Sequence, residues 1–446
     1  MMLGIDFGTS NSAVALVGAD GVLRSIPLDG GNPSMPTALF FSNETGQVFY
    51  GSAAMQAYLS GTDGRLMRSI KSLLGSSLMD DQTLVNGQLV SLFEVVVLFF
   101  KELKRRAEQH LGHAVTQAML GRPVHFVDDD MARDDLAEAT LGRAALAAGF
   151  ETVQFQLEPI AAAFDFERRV TQDTTVLVVD IGGGTSDFSV VRVGPSRHAD
   201  ADRGQDLLAT TGVHLGGTDF DRALHLRHAM PLLGLGHVGP SGREVPSSVF
   251  FNLSTWHLIQ QSYGRKAVAH SASLRSDYAD RQLHSRLMHV LEDHLGHQLL
   301  AATEAAKIDC SVSGGAARID LSAVEAALSV PVTPEGLHDV LAAQLEAIVA
   351  CAQACVSASG VKRLDTVYLT GGSSALAPLQ VAMQAAFPGT AMASGDRFGS
   401  VAAGLAYGGS VAYRAGRDAV VSTGMGLGTG TGTAAVAATA RNTAVA

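Results

Sequence analysis

The chain opens on an apolar run, Met2 to Ile5, that ends at Asp6, crosses a Gly8-Thr9-Ser10-Asn11 turn and resumes as a second apolar run from Ala13 to Val17. Two strand-like runs around a small polar turn predict a β-hairpin. The same pattern returns far downstream. Val176 to Val179 runs into Asp180, the turn Gly182-Gly183-Gly184-Thr185 follows, and Phe188 to Val193 is again apolar. The separation is too long for a solenoid repeat and predicts a duplicated domain. Between and after the hairpins, apolar positions at helical spacing predict helices over Leu92–Leu111, Met131–Ala148, Pro159–Arg169 and Leu283–Ile308, and a last one over Ser400–Ala412. Gly149-Phe150 should stop the second of these. A strand is expected near Ala118–Val124 and an irregular loop over Pro240–Phe251.

The echo has a chemical meaning. A glycine turn exposes backbone N–H groups with no side chain in the way, a nest for phosphate oxygens. A carboxylate closing the preceding strand lies within reach of a hydrated divalent cation, and Mg²⁺ favours a few carboxylates, waters and substrate phosphates. Two such hairpins facing each other would hold a polyphosphate and its metal between two lobes. A third element, Val367 to Thr370 followed by Gly371-Gly372-Ser373-Ser374 and a helical pattern over Ala375–Phe387, predicts a further phosphate- or ribose-facing junction.

Composition narrows the partners. The 446 residues carry a net charge of −11, which argues against general affinity for nucleic acid or anionic membrane. Apolar residues make up 47% and charged ones 17%, so a core-rich globular protein is expected, with no membrane span. The start has no basic segment of the kind that begins a signal peptide. Cys310, Cys351 and Cys355 cannot build a disulfide framework, and a cytoplasmic setting is expected.

The three glycine elements, in this order, resemble the actin-like ATPase superfamily. The match is nearest to DnaK-type heat-shock chaperones, and among these to truncated YegD-type members without a peptide-binding domain. DFGTSN resembles the family's first phosphate motif, Glu158-Pro159 to Ala163 its connecting motif, and DIGGGTSD its second phosphate motif. The resemblance implies an α/β fold of two actin-like (ribonuclease-H-like) lobes around a central nucleotide cleft that takes ATP or ADP with Mg²⁺. Asp6 and Asp180 would hold Mg²⁺ through its waters, with Glu158 and Asp187 on the acidic rim. Lys71 would stand beside the γ-phosphate, and Thr185 and Thr9 would serve the phosphates with Gly8, Ser10, Asn11, Gly182, Gly183 and Gly184. Gly216 and Gly217 belong to the segment after the second motif. Glu304, Lys307, Ile308 and Ser311 would form the adenosine helix, and Gly371, Gly372, Ser373, Ala375 and Asp396 the adenosine motif and its surroundings.

Two departures stand out. Ile308 and Ala375 occupy positions where the family carries arginines that stack on adenine, a loss of roughly 1–3 kcal/mol. The tail over 414–446 is Gly, Thr, Ala and Val without an aromatic residue, which predicts a flexible segment and no client-binding domain. Lobe I is expected over 1–173, lobe II over 174–395 with a helix-rich outer part over 222–312, and a return helix over 396–413. The implied activity is a slow ATPase acting as a nucleotide-driven switch, read by a protein partner or co-chaperone of unknown identity. The rivals are a pseudo-ATPase or nucleotide sensor, a small-molecule kinase of the same superfamily, and an actin-like filament.

Other signals carry less. Gly234-Leu235-Gly236-His237-Val238-Gly239 fits a dinucleotide pattern but follows no clear strand and meets Pro240. Ten of the fifteen histidines lie between His214 and His297 and are read as surface residues. Cys351 and Cys355 share a helix face and are read as core packing rather than a zinc site.

Overall fold

The computed structural model describes residues 1–85, 88–127, 130–197, 203–256, 258–396 and 399–410. The hairpin echo seen in the sequence becomes an echo of topology. The first hairpin, Met2–Phe7 with Asn11–Val17, sits in a six-stranded sheet. Its first strand pairs in parallel with Gln117–Arg122, which pairs in parallel with Thr152–Leu157. Leu23–Ser25 continues the sheet beyond the second strand, antiparallel. The second hairpin, Thr174–Ile181 with Ser186–Val193, repeats this plan. Its first strand pairs in parallel with Thr366–Thr370, then Ala391–Ser394, while Leu207–Val213 flanks the other side antiparallel. The middle strands of both sheets are almost wholly apolar, as expected where helices cover two faces.

Each sheet has its own core. Leu3, Ile5, Phe99, Phe100 and Leu141 belong to one, and Leu177, Phe188, Phe220, Leu341 and Leu369 to the other. A smaller cluster joins them. Ala161, Ala162 and Ala163 of the helix Glu158–Glu167 meet Val176 and Tyr368 of the second sheet, together with Val401 and Leu405 of a helix over 400–410. Ala402 and Ala406 of that last helix also pack on Ala13 and Ala15 of the first sheet. Small side chains let backbones approach closely here, so these two helices form the seam between the sheets. The seam is tied to the second sheet by charge as well: buried Glu167 accepts from the Arg203 guanidinium at 2.8 Å and from the Gly194 N–H at 2.8 Å.

Several expected elements fall where the pattern put them. Leu92–Leu111 is a helix opened by a Ser91/Glu94 capping box and closed by Gly112 in the left-handed region. Met131–Ala147 and Gln117–Arg122 lie within a residue or two of expectation. The expected helix over Leu283–Ile308 is instead two, Arg281–Glu292 and Gly296–Ser313, because His294 between them takes φ 57°. The loop expected over Pro240–Phe251 contains a short helix from Ser248. The helix over 400–410 is described as far as 410; residues 411–413 and the whole tail over 414–446 lie outside the described residues.

Pro334–Ala358 is long and apolar enough to cross a membrane by length and composition. Its buried residues Leu337, Leu341, Leu345, Ile348, Ala352 and Cys355 recur at helical spacing and make one stripe. That stripe lies on the second sheet, where Thr211 donates to the Cys351 carbonyl at 3.1 Å and the Cys355 thiol lies 3.4 Å from the Phe188 carbonyl. Both cysteines are therefore packing residues.

The surface reading of the histidines is wrong for several of them. His225, His284 and His297 are buried. His225 lies in a π-helical turn, His225–Ala229, with no hydrogen-bond partner on either ring nitrogen among the described residues. It continues the buried stripe of Gly217, Phe220, Asp221 and Leu224 in the helix Gly217–Leu224 that leads into the turn, so its place on the helix and not its polarity decides its burial. Burial pushes its pKa down to about 3.

His297 bridges the two lobes. Its Nε2 lies 3.0 Å from the Trp256 carbonyl, which can only accept, so Nε2 carries the proton. Nδ1 is then free to accept from the Tyr58 hydroxyl at 2.6 Å, on the helix Ser52–Leu59 that packs against the strand Ala38–Ser42 of a small three-stranded sheet. Beside this bond the Arg68 guanidinium lies 4.6 Å over the Trp256 ring. Burial and the Arg68 charge hold His297 down to about 4, so it is neutral at physiological pH.

Two outcomes are expected. The unfolded chain takes up a proton on His225 below about pH 6.5 and the folded chain only near pH 3, so stability is intact above this window and falls as pH drops through it. At about pH 5 this linkage costs ~2 kcal/mol, and His225→Leu should remove that share of the loss, read by urea denaturation at about pH 7.5 and about pH 5. An unchanged pH dependence in the variant would contradict the assignment. Tyr58→Phe strands the His297 Nδ1 acceptor and should cost ~1 kcal/mol, with a shift in Trp256 emission; unaltered stability and emission would remove the bridge.

Candidate functional site

The strand order decides what meets at the site. Asp6 and Asp180 each stand next to the end of the first strand of their hairpin, so both carboxylates are delivered to the same cleft, a cavity of about 910 Å³ between the sheets. The glycine turns follow at once. A Cβ built on Gly183 would lie 2.0 Å from the Ser10 hydroxyl, so only glycine lets the two turns approach this closely. Gly8, Thr9, Ser10 and Asn11 line one wall, and Gly182, Gly183, Gly184 and Thr185 line the other.

The second turn is held from behind by its carbonyls. The N–H groups of Gly217 and Thr218 donate to the carbonyls of Gly182 and Gly183 at 3.0 and 2.7 Å, and the Ser373 hydroxyl donates to Gly182 at 3.1 Å. With the carbonyls committed, the N–H groups of Gly183 and Gly184 carry no hydrogen bond within the described residues, and the same is true of Thr9 and Ser10. Such paired, unsatisfied donors form a nest for anionic oxygens.

The carboxylates form a crowded acidic floor. Burial, then the nearby Glu158 charge, push Asp6 up to about 7 against the opposing pull of Lys71. Burial and the charges of Asp187, Glu158 and Asp6 hold Asp180 well above the carboxylate range. Lys71 lies in a short turn, Ile70–Leu73, that starts after Ser69 at φ 60°. Its Nζ donates to Glu158 Oε1 at 2.7 Å. Burial pulls Lys71 down, but the charges of Glu158, Asp6 and Asp180 outweigh it and hold the amine above its usual range. The Thr185 hydroxyl donates to Asp187 at 3.0 Å.

Among the described residues no three His, Cys, Asp or Glu side chains converge as direct metal ligands. Asp6 and Asp180 offer oxygen ligands whose charged forms their surroundings disfavour, a donor set that suits a hard divalent cation held through waters. Gly371, at φ 83°, brings the third glycine element against the same floor: a Cβ there would lie 2.3 Å from Asp180 Oδ1.

Farther from the carboxylates, Glu304, Lys307, Ile308 and Ser311 of the helix Gly296–Ser313 face the cavity, opposite Gly371, Gly372, Ser373 and Ala375. Lys307 is not a free cation. Its Nζ meets Asp221 at 2.8 Å and donates to the Gly217 carbonyl at 3.3 Å. Two of the expected residues do not line the cavity. Gly216 lies behind the second turn and donates its N–H to Asp219 at 3.0 Å. Asp396 precedes the helix over 400–410, where its carbonyl accepts from the Ser400 hydroxyl at 2.8 Å. Sequence reasoning also left out Arg68, Asp221, Trp256, Val312 and Leu376, all on the cavity wall. Val312 was findable as the residue one turn past Ile308. Arg68 and Trp256 carry no motif and meet only through tertiary structure.

The pattern of the Hsp70 protein family matches residues 2–230. The chaperone protein DnaK of Thermosipho melanesiensis is 31% identical over 225 residues, which cover 50% of this chain and 35% of that protein. The DnaK proteins of Thermosipho africanus and Thermotoga neapolitana are 32% and 30% identical over stretches of the same length. The matched stretch spans about a third of the length of these curated relatives. The Hsp70 nucleotide-binding domain is actin-like, and two sheets of repeated strand order around a cleft are that fold. With the family pattern covering just over half of its length, this chain belongs to the Hsp70 family.

Proposed function

We propose that the cleft binds ATP and ADP with Mg²⁺, that the chain hydrolyses ATP slowly to ADP and phosphate, and that closure of the lobes around nucleotide is a switch read by a protein partner or co-chaperone. The observation that carries this reading is the pair of glycine turns, with N–H groups at Thr9, Ser10, Gly183 and Gly184 that are unpaired among the described residues, around the half-buried Asp6 and Asp180. Mg²⁺, held through its waters by these two carboxylates, would supply charge neutralisation on the phosphate oxygens.

The chain's own groups do the rest. The turn N–H groups and the Thr9 hydroxyl bind the phosphates. Lys71 orients the attacking water and offsets charge on the transferring phosphoryl group, and Glu158, at 2.7 Å, fixes the position of its amine. Asp187 holds the Thr185 hydroxyl and adds to the acidic rim. Glu304 and Ser311 face the nucleoside, while Lys307 stays bound to Asp221. Phosphate contacts to both hairpins give the closed form the differential affinity that a switch requires. Three free cysteines favour a reducing, cytoplasmic setting. A second reading, a nucleotide sensor without turnover, draws support from the Lys71–Glu158 pair, which engages the amine before any substrate arrives.

Calorimetry and a phosphate-release assay test this. Asp6→Ala or Asp180→Ala should abolish most Mg²⁺-dependent binding, whereas intact affinity and turnover in both would end the two-hairpin account. Lys71→Ala should slow hydrolysis by ~10²-fold while ATP affinity stays within a few-fold. Equal losses in rate and affinity would make Lys71 a binding residue, and a wild-type chain that binds without turnover would be the sensor.

A further inference from the structure

The cavity has two chemically different ends. One is the charged floor of Asp6, Asp180, Lys71 and the glycine turns. At the other, Ile308, Ser311 and Val312 stand at positions i, i+3 and i+4 of the helix Gly296–Ser313 and so share a face. Ile308 and Val312 are 51% and 66% exposed, large apolar side chains left open on the cavity wall. Ser311 ties this face to the third glycine element, donating to the Ala375 carbonyl at 3.3 Å and accepting from the Ala377 N–H at 2.8 Å. The result is a slot with Ile308 and Val312 on one side, Ala375 and Leu376 on the other, and Ser311 at the back.

A ligand anchored by its phosphates at the charged floor places its base in this slot. The slot offers apolar contact to the faces of a ring but little to its edge. The one Ser311 proton is spent on Ala375, which leaves a lone pair as its only vacancy. That acceptor is met by the amino group of adenine or by the N1–H and amino group of guanine. Lys307, a turn back, is committed to Asp221 and Gly217. Strong rejection of a wrong base requires buried polar groups that it would leave unpaired, and among the described residues the polar side chains on this helix face, Glu304 and Ser311, are only half-buried.

We propose that this slot holds a purine by its faces without reading its edge, so that the chain takes adenine and guanine nucleotides alike. The proposal rests on the nucleotide reading above and adds the base class. A bicyclic ring covers more of Ile308, Val312 and Leu376 than a pyrimidine, so purines should bind tighter by roughly fivefold. Calorimetric titration of the full chain with the Mg²⁺ complexes of ATP, GTP, CTP and UTP provides the test. ATP and GTP are expected within about fivefold of each other, with CTP and UTP weaker than both. Ile308→Ser should weaken ATP and GTP by the same factor, roughly fivefold, and Ile308→Arg should strengthen both by a common factor through stacking. A wider gap between ATP and GTP, pyrimidines as tight as purines, or an Ile308 variant that alters one purine alone would overturn the slot while leaving nucleotide binding intact. Binding of none of the four would overturn the nucleotide reading and this proposal together.

Discussion

Asp6 and Asp180 are half-buried in one cleft with their carboxyls desolvated, within reach of each other's charge and of Glu158 and Asp187, with the Lys71 amine among them. Placing like charges together out of water opposes folding, since each desolvated carboxylate carries a penalty of several kcal/mol unless paired. The chain sustains this because each carboxylate is fixed on a central strand of an apolar sheet with its own core. The glycine turns, the Lys71–Glu158 pair and the close approach of Gly371 all follow from what surrounds that unfavourable cluster. In the proposed function, a polyphosphate with its cation would relieve it.

The repeated strand order explains why the cluster forms at all. Two sheets of the same plan, facing each other, bring equivalent strand ends to one place, and the alanine-rich seam between Glu158–Glu167 and the helix over 400–410 keeps them close. On the outer side the lobes meet through side chains: Tyr58 on His297 and Arg68 on Trp256. The seam is close packing between small residues, whereas the outer contact is made by long side chains.

What the sequence disclosed was local. Asp6, Asp180 and their turns were legible because strand, carboxylate and glycine are adjacent in the chain, and Leu92–Leu111 because its caps lie beside its apolar stripe. What it concealed depended on distant partners or on backbone irregularity. Nothing near Lys71 announces Glu158, and nothing near His297 announces Tyr58. The left-handed turn at His294 splits a continuous amphipathic pattern, and His225 lies on the buried stripe of the helix Gly217–Leu224 although its polar ring reads as a surface residue. Asp396 was assigned to the cleft by resemblance, yet its carbonyl serves the helix that follows.

The central claim is that the two glycine turns and the carboxylates of Asp6 and Asp180 act together as one site for a metal-bound polyphosphate. Titrating the wild-type chain calorimetrically with ADP, first with Mg²⁺ and then with the cation removed by chelator, tests it most directly. The account predicts saturable binding of a single nucleotide per chain, with an affinity better than millimolar that weakens at least ~10-fold without the cation. Absence of saturable heat in Mg²⁺, or affinity indifferent to the chelator, would contradict it.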